Sequence, residues 1–166
     1  SQGKDADAYT EVFYEGKGPH GVLVSVECAT DNTTRTVANV KSYFNRNGGS
    51  LVPSGSLEFM FARKAVIEFE ITPETDLEEM ELEMIDYGLE EIETEENTGY
   101  AIGDYTAFGT LTKAFDDMGI KIEKATLKRI PDSPVDFKEE QLTDIEKMLD
   151  KIEDDDDVQA VFTNVG

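Results

Sequence analysis

Residues 14–36 read YEGKGPHGVLVSVECATDNTTRT, and they place two polar loops at opposite ends of one apolar strand. The first loop, residues 15–21, is rich in glycine and contains Pro19, whose ring fixes its own φ. Apolar residues alternate over residues 22–29, which predicts a half-buried strand. The second loop, residues 31–36, offers several side chains that can cap a helix. The stretch therefore predicts a turn, a strand and a helix N-terminus in succession.

The sequence around this stretch supplies the rest of a small sheet with helices. Pro131 and Pro134 mark a boundary, and a helix and a strand are predicted beyond it. Because a single α–β piece cannot bury its apolar face alone, residues 135–166 are expected to pack back onto residues 9–63. The predicted elements are a strand at 10–15, a helix with Val37, Val40 and Phe44 at helical spacing that stops at Gly48-Gly49, a strand in which Leu57, Phe59 and Phe61 share a face, a helix at 137–152 and a strand at 158–163.

A second unit is predicted between these two parts, over residues 64–130. Its elements follow the order β-α-β-β-α-β, which is the ferredoxin-like pattern. They are a strand at 66–71, a helix capped by Thr75 or Asp76 and ending at Gly88, a hairpin of 89–95 and 100–105 around Asn97-Thr98-Gly99, a helix opened by Thr106, and a strand at 120–130.

The predicted fold class follows from these two units. The chain is expected to be an α+β protein with two small ferredoxin-like α/β-sandwich domains, the second inserted into the first. The first domain comprises residues 9–63 plus 131–166, and the inserted domain comprises residues 64–130.

Charge is distributed very unevenly along the chain. The net charge is −22 over 166 residues, but residues 1–63 hold six basic and seven acidic groups. The other acidic groups lie in residues 64–166, so an anion is expected to dock on the first third. This balance is the opposite of the basic face that nucleic-acid-binding domains present, and it also opposes an anionic membrane surface. No apolar run is long enough for a membrane span.

No catalytic or metal-binding constellation is present in the sequence. One histidine and one cysteine cannot form a zinc site of Cys and His ligands, and Cys28 is expected to be a buried apolar residue. Residues 154–157 are four aspartates without the glycine and glutamate positions of an EF-hand, so they are interpreted as a solvated turn that ends a helix. His20 is the one candidate histidine base, but no nucleophile motif accompanies it. We therefore expect no enzyme activity, no metal and no cofactor.

The two loops are the remaining candidates for a functional site. The first loop is neither a P-loop nor a dinucleotide fingerprint, but it presents Lys17, His20 and backbone N–H groups. The second places polar groups at a helix N-terminus, where anions bind. Turn and cap chemistry alone also explains both loops. The residues proposed to contact nucleic acid are Lys17, His20, Asn32, Thr33, Arg35 and Arg46.

Three motifs in combination resemble the YebC/PmpR family of gene-expression regulators. They are Thr30-Asp31-Asn32 with Arg35-Thr36, Asn47-Gly48-Gly49, and Asp156-Asp157-Val158-Gln159. The resemblance covers essentially all of residues 9–166. The first loop departs from the usual YEGYGPGG at Lys17 and His20, and Phe162 stands where tyrosine is common.

The resemblance implies a protein of three domains, the third inserted into the second. It also implies a basic, helical N-terminal domain that is missing here and that contributes most of the nucleic-acid binding. Relatives include a mitochondrial translational activator of cytochrome c oxidase. Two functions follow as expectations: a cytoplasmic, DNA-binding transcriptional regulator, or a ribosome-associated translation activator that contacts ribosomal RNA and relieves stalling. A ligand-sensing module with a pocket is a further alternative.

Overall fold

The computed structural model describes residues 8–166, which separate into two compact units. The first unit runs to Ala62 and resumes over Pro131–Gly166, and the second is Arg63–Ile130. In chain order the elements are β1 Thr10–Lys17, β2 Leu23–Thr30, α1 Thr33–Asn45, β3 Ser50–Val52, β4 Phe61–Glu70, α2 Leu77–Met84, β5 Leu89–Glu95, β6 Thr98–Asp104, α3 Phe108–Asp117, β7 Lys124–Pro131, α4 Glu139–Glu153 and β8 Val158–Thr163.

The first unit is a four-stranded antiparallel sheet in the order β3-β1-β2-β8. Helices α1 and α4 pack on one face of it, and their apolar side chains share a core with one face of β2. Alternation explains this arrangement, because every second residue of a strand faces the same side. The core residues are Val22, Val24, Val26, Cys28, Val40, Phe44, Ile145, Met148 and Ile152.

The opposite face of β2 is also buried over its first half, contrary to the half-buried strand that the alternation predicts. Leu23 packs with Leu57 and Phe61 in a separate apolar cluster, and Ser25 is fully buried. The predicted strand through Leu57, Phe59 and Phe61 is wrong, because residues Glu58–Met60 form a 3-10 turn. That turn leaves Phe59 88% exposed. The alternating apolar residues Leu57, Phe59 and Phe61 therefore belong mainly to a loop that packs on the sheet, and they do not form a strand of it.

The second unit has the strand order β5-β6-β4-β7, with α2 and α3 packed on one face. Its core contains Phe69 and Phe115, whose ring centroids lie 5.4 Å apart. The order β-α-β-β-α-β along the chain and the four-stranded sheet are those of a ferredoxin-like domain. The predicted fold class, two ferredoxin-like domains with one inserted into the other, is confirmed.

Element ends in the second unit differ from the prediction in several places: β4 begins at Phe61 and β7 at Lys124, whereas the sequence predicts strands that begin at residues 66 and 120. The hairpin turn lies at Glu96-Asn97 instead of Asn97-Thr98-Gly99, and Glu96 adopts a φ of 54° there. The second helix is preceded by a 3-10 turn that Asp104 caps, so Thr106 does not open it. The other predicted cap is correct, because the Asp76 side chain accepts a hydrogen bond from the backbone N–H of Glu79. The Asp104 and Asp76 caps are made by local polar side chains, which the periodicity of apolar residues does not detect.

No helix among the described residues is both long and apolar enough to cross a membrane. Across the same residues no group of three or more histidine, cysteine, aspartate or glutamate side chains is placed to hold a metal ion.

Candidate nucleic-acid interface

The six candidate residues lie at two opposite ends of the first sheet. Lys17 and His20 belong to the β1–β2 connection, whereas Asn32, Thr33 and Arg35 follow the far end of β2. Eight residues of extended strand span roughly 26 Å. The two loops therefore form separate sites, not one surface.

Arg46 lies at the same end as Lys17, because α1 runs back along β2. Arg46 caps the C-terminus of α1, and the following Gly49 lies directly against the backbone of Lys17 and Gly18. We call the surface formed by residues 16–21 and 46–49 the loop end. It brings together three of the six candidates: Lys17, His20 and Arg46.

The loop end has a fixed shape. The N–H of Gly18 donates to the carbonyl of Val22 at 2.8 Å, which closes the connection between β1 and β2. His20 occupies the left-handed region with a φ of 62°, where side chains other than glycine rarely lie. Its Nε2 lies 2.8 Å from Oδ2 of Asp144 on α4. The helix thus holds the loop in place.

Asp144 is a contact of His20 that the sequence does not indicate. It lies on the exposed side of α4, 124 positions from His20, and only the fold brings the two together. Lys17 and Arg46 are also exposed, but they form no ion pair with any residue in the described range. The free positive charge of the loop end therefore comes from these two residues.

The other loop is joined to the aspartate run near the C-terminus. The Nη2 of Arg35 donates to both carboxylate oxygens of Asp157, at 3.1 and 3.0 Å, and to Oδ1 of Asp31 at 2.9 Å. The hydroxyl of Thr36 lies 2.8 Å from Oδ2 of Asp157. Two motifs that are more than 120 residues apart in the chain therefore form one hydrogen-bonded cluster, the Arg35–Asp157 cluster.

This cluster corrects the interpretation of residues 154–157 as a solvated turn. Asp157 is 8% exposed, and Asp155 accepts a hydrogen bond from the hydroxyl of Tyr43 at 2.6 Å. Burial opposes ionisation of Asp157, but hydrogen bonds from Thr36 and Arg35 more than offset it, so its pKa is lowered. Burial and the bond to Asp155 raise the pKa of Tyr43 to about 12. The sequence alone does not reveal these roles, because the four aspartates are identical in sequence although their side chains point in different directions.

Asn32 and Thr33 serve the start of α1. The Oδ1 of Asn32 accepts a hydrogen bond from the N–H of Arg35 at 3.0 Å, which is the geometry of an N-cap. Thr33 is the first helical residue and is exposed. The guanidinium of Arg35 is already shared by two carboxylates, so an incoming phosphate would compete with them. Nucleic-acid contact by these three residues stays a prediction.

The chain is similar to known proteins over nearly its whole length. The family model described as "TACO1/YebC second and third domain" matches residues 9–165. The "Probable transcriptional regulatory protein WS1016" of Wolinella succinogenes is 60% identical over 98% of this chain and 69% of its own length. The "Probable transcriptional regulatory protein Ccur92_05350" of Campylobacter curvus is 55% identical over 99% of this chain and 70% of its own.

One solved structure shares the fold across both units. It is the crystal structure of "a Conserved Hypothetical Protein Aq1575 from Aquifex Aeolicus", with a TM-score of 0.82 and 33% identity. The match covers 96% of this chain, which spans 65% of the Aquifex protein. The chain belongs to the TACO1/YebC family and corresponds to its second and third domains.

Proposed function

We propose that this chain is part of a non-enzymatic, cytoplasmic regulator of gene expression that acts by contacting nucleic acid, with promoter DNA as the first candidate. The names of the Wolinella and Campylobacter relatives support a transcriptional role. The observation that carries the proposal is the loop end of the first unit. It offers the unpaired cations Lys17 and Arg46 on a rigid turn, in a chain whose net charge is −22.

Charge arithmetic limits what the loop end does by itself. A protein that neutralises six to ten DNA phosphates gains most of its affinity from them. Two free cations supply only a small part of such a contact, and the acidic remainder of the chain opposes it. The loop end is therefore proposed as a positioning contact that acts together with a further basic surface.

Ribosomal RNA is the second candidate, and the shape of the loop favours it. Folded RNA is recognised largely through shape and through its backbone, and a protruding rigid turn is suited to such recognition. The hydrogen bond from Gly18 to Val22 and the contact of His20 with Asp144 hold the loop in this shape before RNA binds. A translation activator that docks on the ribosome would use the same residues.

The two candidates are separated by testing this chain beside the full-length Wolinella relative. Each protein is sedimented with purified ribosomes and, separately, titrated against promoter DNA and unrelated DNA at physiological salt. Specific promoter binding without sedimentation supports the transcriptional role and excludes the ribosomal one. Sedimentation with ribosomes without promoter preference gives the opposite conclusion.

A charge-matched pair of variants tests the loop end itself. The Lys17→Ala/Arg46→Ala variant should bind nucleic acid more weakly and reduce the slope of log affinity against log salt by about 2. The Lys121→Ala/Lys124→Ala variant removes the same charge from the second unit and should change neither quantity. An equal loss in both variants would mean that net charge, not the loop end, controls binding.

A further inference from the structure

A groove in the second unit combines an apolar floor with an acidic rim. It lies between α2 and the turn after α3, and its volume is about 420 Å³. Binding sites for small groups commonly have volumes in this range. The floor is formed by Phe69, Met80, Met118 and Ile120, and the rim carries Glu70, Glu74, Asp76, Glu79 and Glu83.

No basic residue is among the residues that line the groove. The second unit as a whole holds seven basic and eighteen acidic residues between positions 63 and 130. A phosphate-bearing ligand would be repelled by this field, whereas a cation would be attracted. The groove is therefore expected to bind a cationic ligand, whereas the loop end is proposed to bind an anionic one.

Two of the rim carboxylates are close enough to interact directly. Glu79 and Glu83 lie one helical turn apart on α2, and a hydrogen bond between their carboxyl groups, together with the charge of Glu83, raises the pKa of Glu79. Like charges in this position destabilise each other. A cationic group placed between them would relieve the repulsion.

The surface beside the rim indicates a protein segment rather than a small cation. Leu82 projects from α2 between Glu79 and Asp86 and is 75% exposed. Ile85, one turn further, is 57% exposed. A small cation would leave these apolar side chains exposed to solvent. A protein segment with both basic and apolar residues covers them, while the alkyl stem of an arginine or lysine lies along the groove floor.

We propose that this groove and the adjoining Leu82 form a docking site for a basic, amphipathic protein segment. The partner's cationic head contacts Glu79 and Glu83, its alkyl stem packs on Met80 and Met118, and an apolar neighbour packs on Leu82. This site is separate from the nucleic-acid contact and does not depend on it.

The test uses the 166-residue chain and a short fluorescein-labelled peptide with arginines on one helical face and leucines on the other. Fluorescence anisotropy at physiological salt, where charges beyond about 8 Å are screened, measures affinity. Glu79→Gln/Glu83→Gln should weaken binding about tenfold, the loss expected for two charge-assisted contacts. Glu78→Gln/Glu81→Gln is the matched control, because it removes equal charge from the same helix outside the groove, and it should change affinity less than about twofold.

A second peptide, with serine in place of each leucine, tests the apolar part. It should bind several-fold more weakly, and Leu82→Ser should reduce affinity for the leucine peptide but not for the serine peptide. Equal losses in the two glutamine variants, equal binding of both peptides, or no saturable binding of the leucine peptide would each overturn the proposal. All five substituted positions are exposed, and circular dichroism checks that each variant remains folded.

Discussion

Asp157 lies at the end of a run of four aspartates, yet its carboxylate is buried and accepts hydrogen bonds from Arg35 and Thr36. Its backbone carbonyl also accepts from the N–H of Ala29 at 2.9 Å. One residue therefore connects the end of β2, the start of α1 and the approach to β8. Of the two loops that the sequence indicates, the second, residues 31–36, therefore has the stronger structural role.

Replacing Asp157 with Asn should destabilise the fold by about 2 kcal/mol, because the charge-assisted bonds to Arg35 are lost in a buried setting. Urea unfolding at pH 7 measures the effect. Asp156→Asn is the control: Asp156 is exposed, and this change should stay within about 0.5 kcal/mol. A loss of similar size in both variants would assign the effect to net charge instead of to the cluster.

The difference in unfolding free energy between the unmodified chain and Asp157→Asn should change with pH in a definite direction. Because the pKa of Asp157 is lowered from 3.8 in the folded state, its contribution is complete above that value and is lost as the pH falls through the lowered pKa. The stability gap between the unmodified chain and Asp157→Asn should therefore narrow in acid. A gap that is constant down to pH 2 would contradict the ionised role of Asp157.

Cys28 should be chemically inert in the folded chain. Its side chain is 2% exposed, and burial, followed by the charges of Asp155 and Asp157, raises its pKa from 9.0 to about 11. Roughly a hundredfold less thiolate is then present near neutral pH than in an ordinary cysteine, and the thiolate is the reactive form. Reaction with a thiol reagent at pH 8 should be slow in buffer and rapid in denaturant. Equally rapid labelling in both would show that Cys28 is accessible.

Elements were predicted well where apolar periodicity was long and poorly where a loop carried apolar residues. The strand at 158–163 is found with those bounds, because Val158, Val161 and their neighbours have a core on one side. Strand β3 was not predicted, since three residues are too few to show alternation. Phe59 was assigned to a strand because spacing alone cannot distinguish a residue that packs from one that projects into solvent.

Close backbone contact between β1 and the loop before β3 depends on Gly49. A Cβ atom at Gly49 would lie 2.1 Å from the carbonyl oxygen of Lys17, which is backbone and cannot easily move. Gly49→Ala should therefore separate β3 from β1 and destabilise the fold by about 2 kcal/mol or more. Gly109→Ala in α3 meets no atom within 4 Å and should stabilise it by up to about 1 kcal/mol. Thermal unfolding of both variants measures the contrast, and a neutral Gly49→Ala would show that the loop shifts without cost.

Across the whole molecule, the charge asymmetry of the sequence predicts that an anion docks on residues 1–63, and this stays a prediction. It could not show that the candidate residues divide between two ends of a sheet, because that division depends on the direction of α1 after β2. Nor could it show that Arg35 is paired, since Asp157 is distant in sequence. Charge counts locate a region, whereas only the fold distinguishes a free cation from a neutralised one.

The insertion proposed from the sequence, residues 64–130, can be tested by removing it. The backbone N–H of Asp132 donates to the carbonyl of Met60 at 3.0 Å, so the two ends of the first domain are adjacent and a short Gly-Ser linker can join them. The first core of α1, α4 and β2 contains no residue of the insertion. The shortened chain and the isolated segment 63–130 should each unfold cooperatively in urea, with m-values smaller than that of the intact chain because each exposes less surface. If either piece shows no cooperative transition, the two units depend on each other for stability, and the proposed domain boundaries do not describe independent domains.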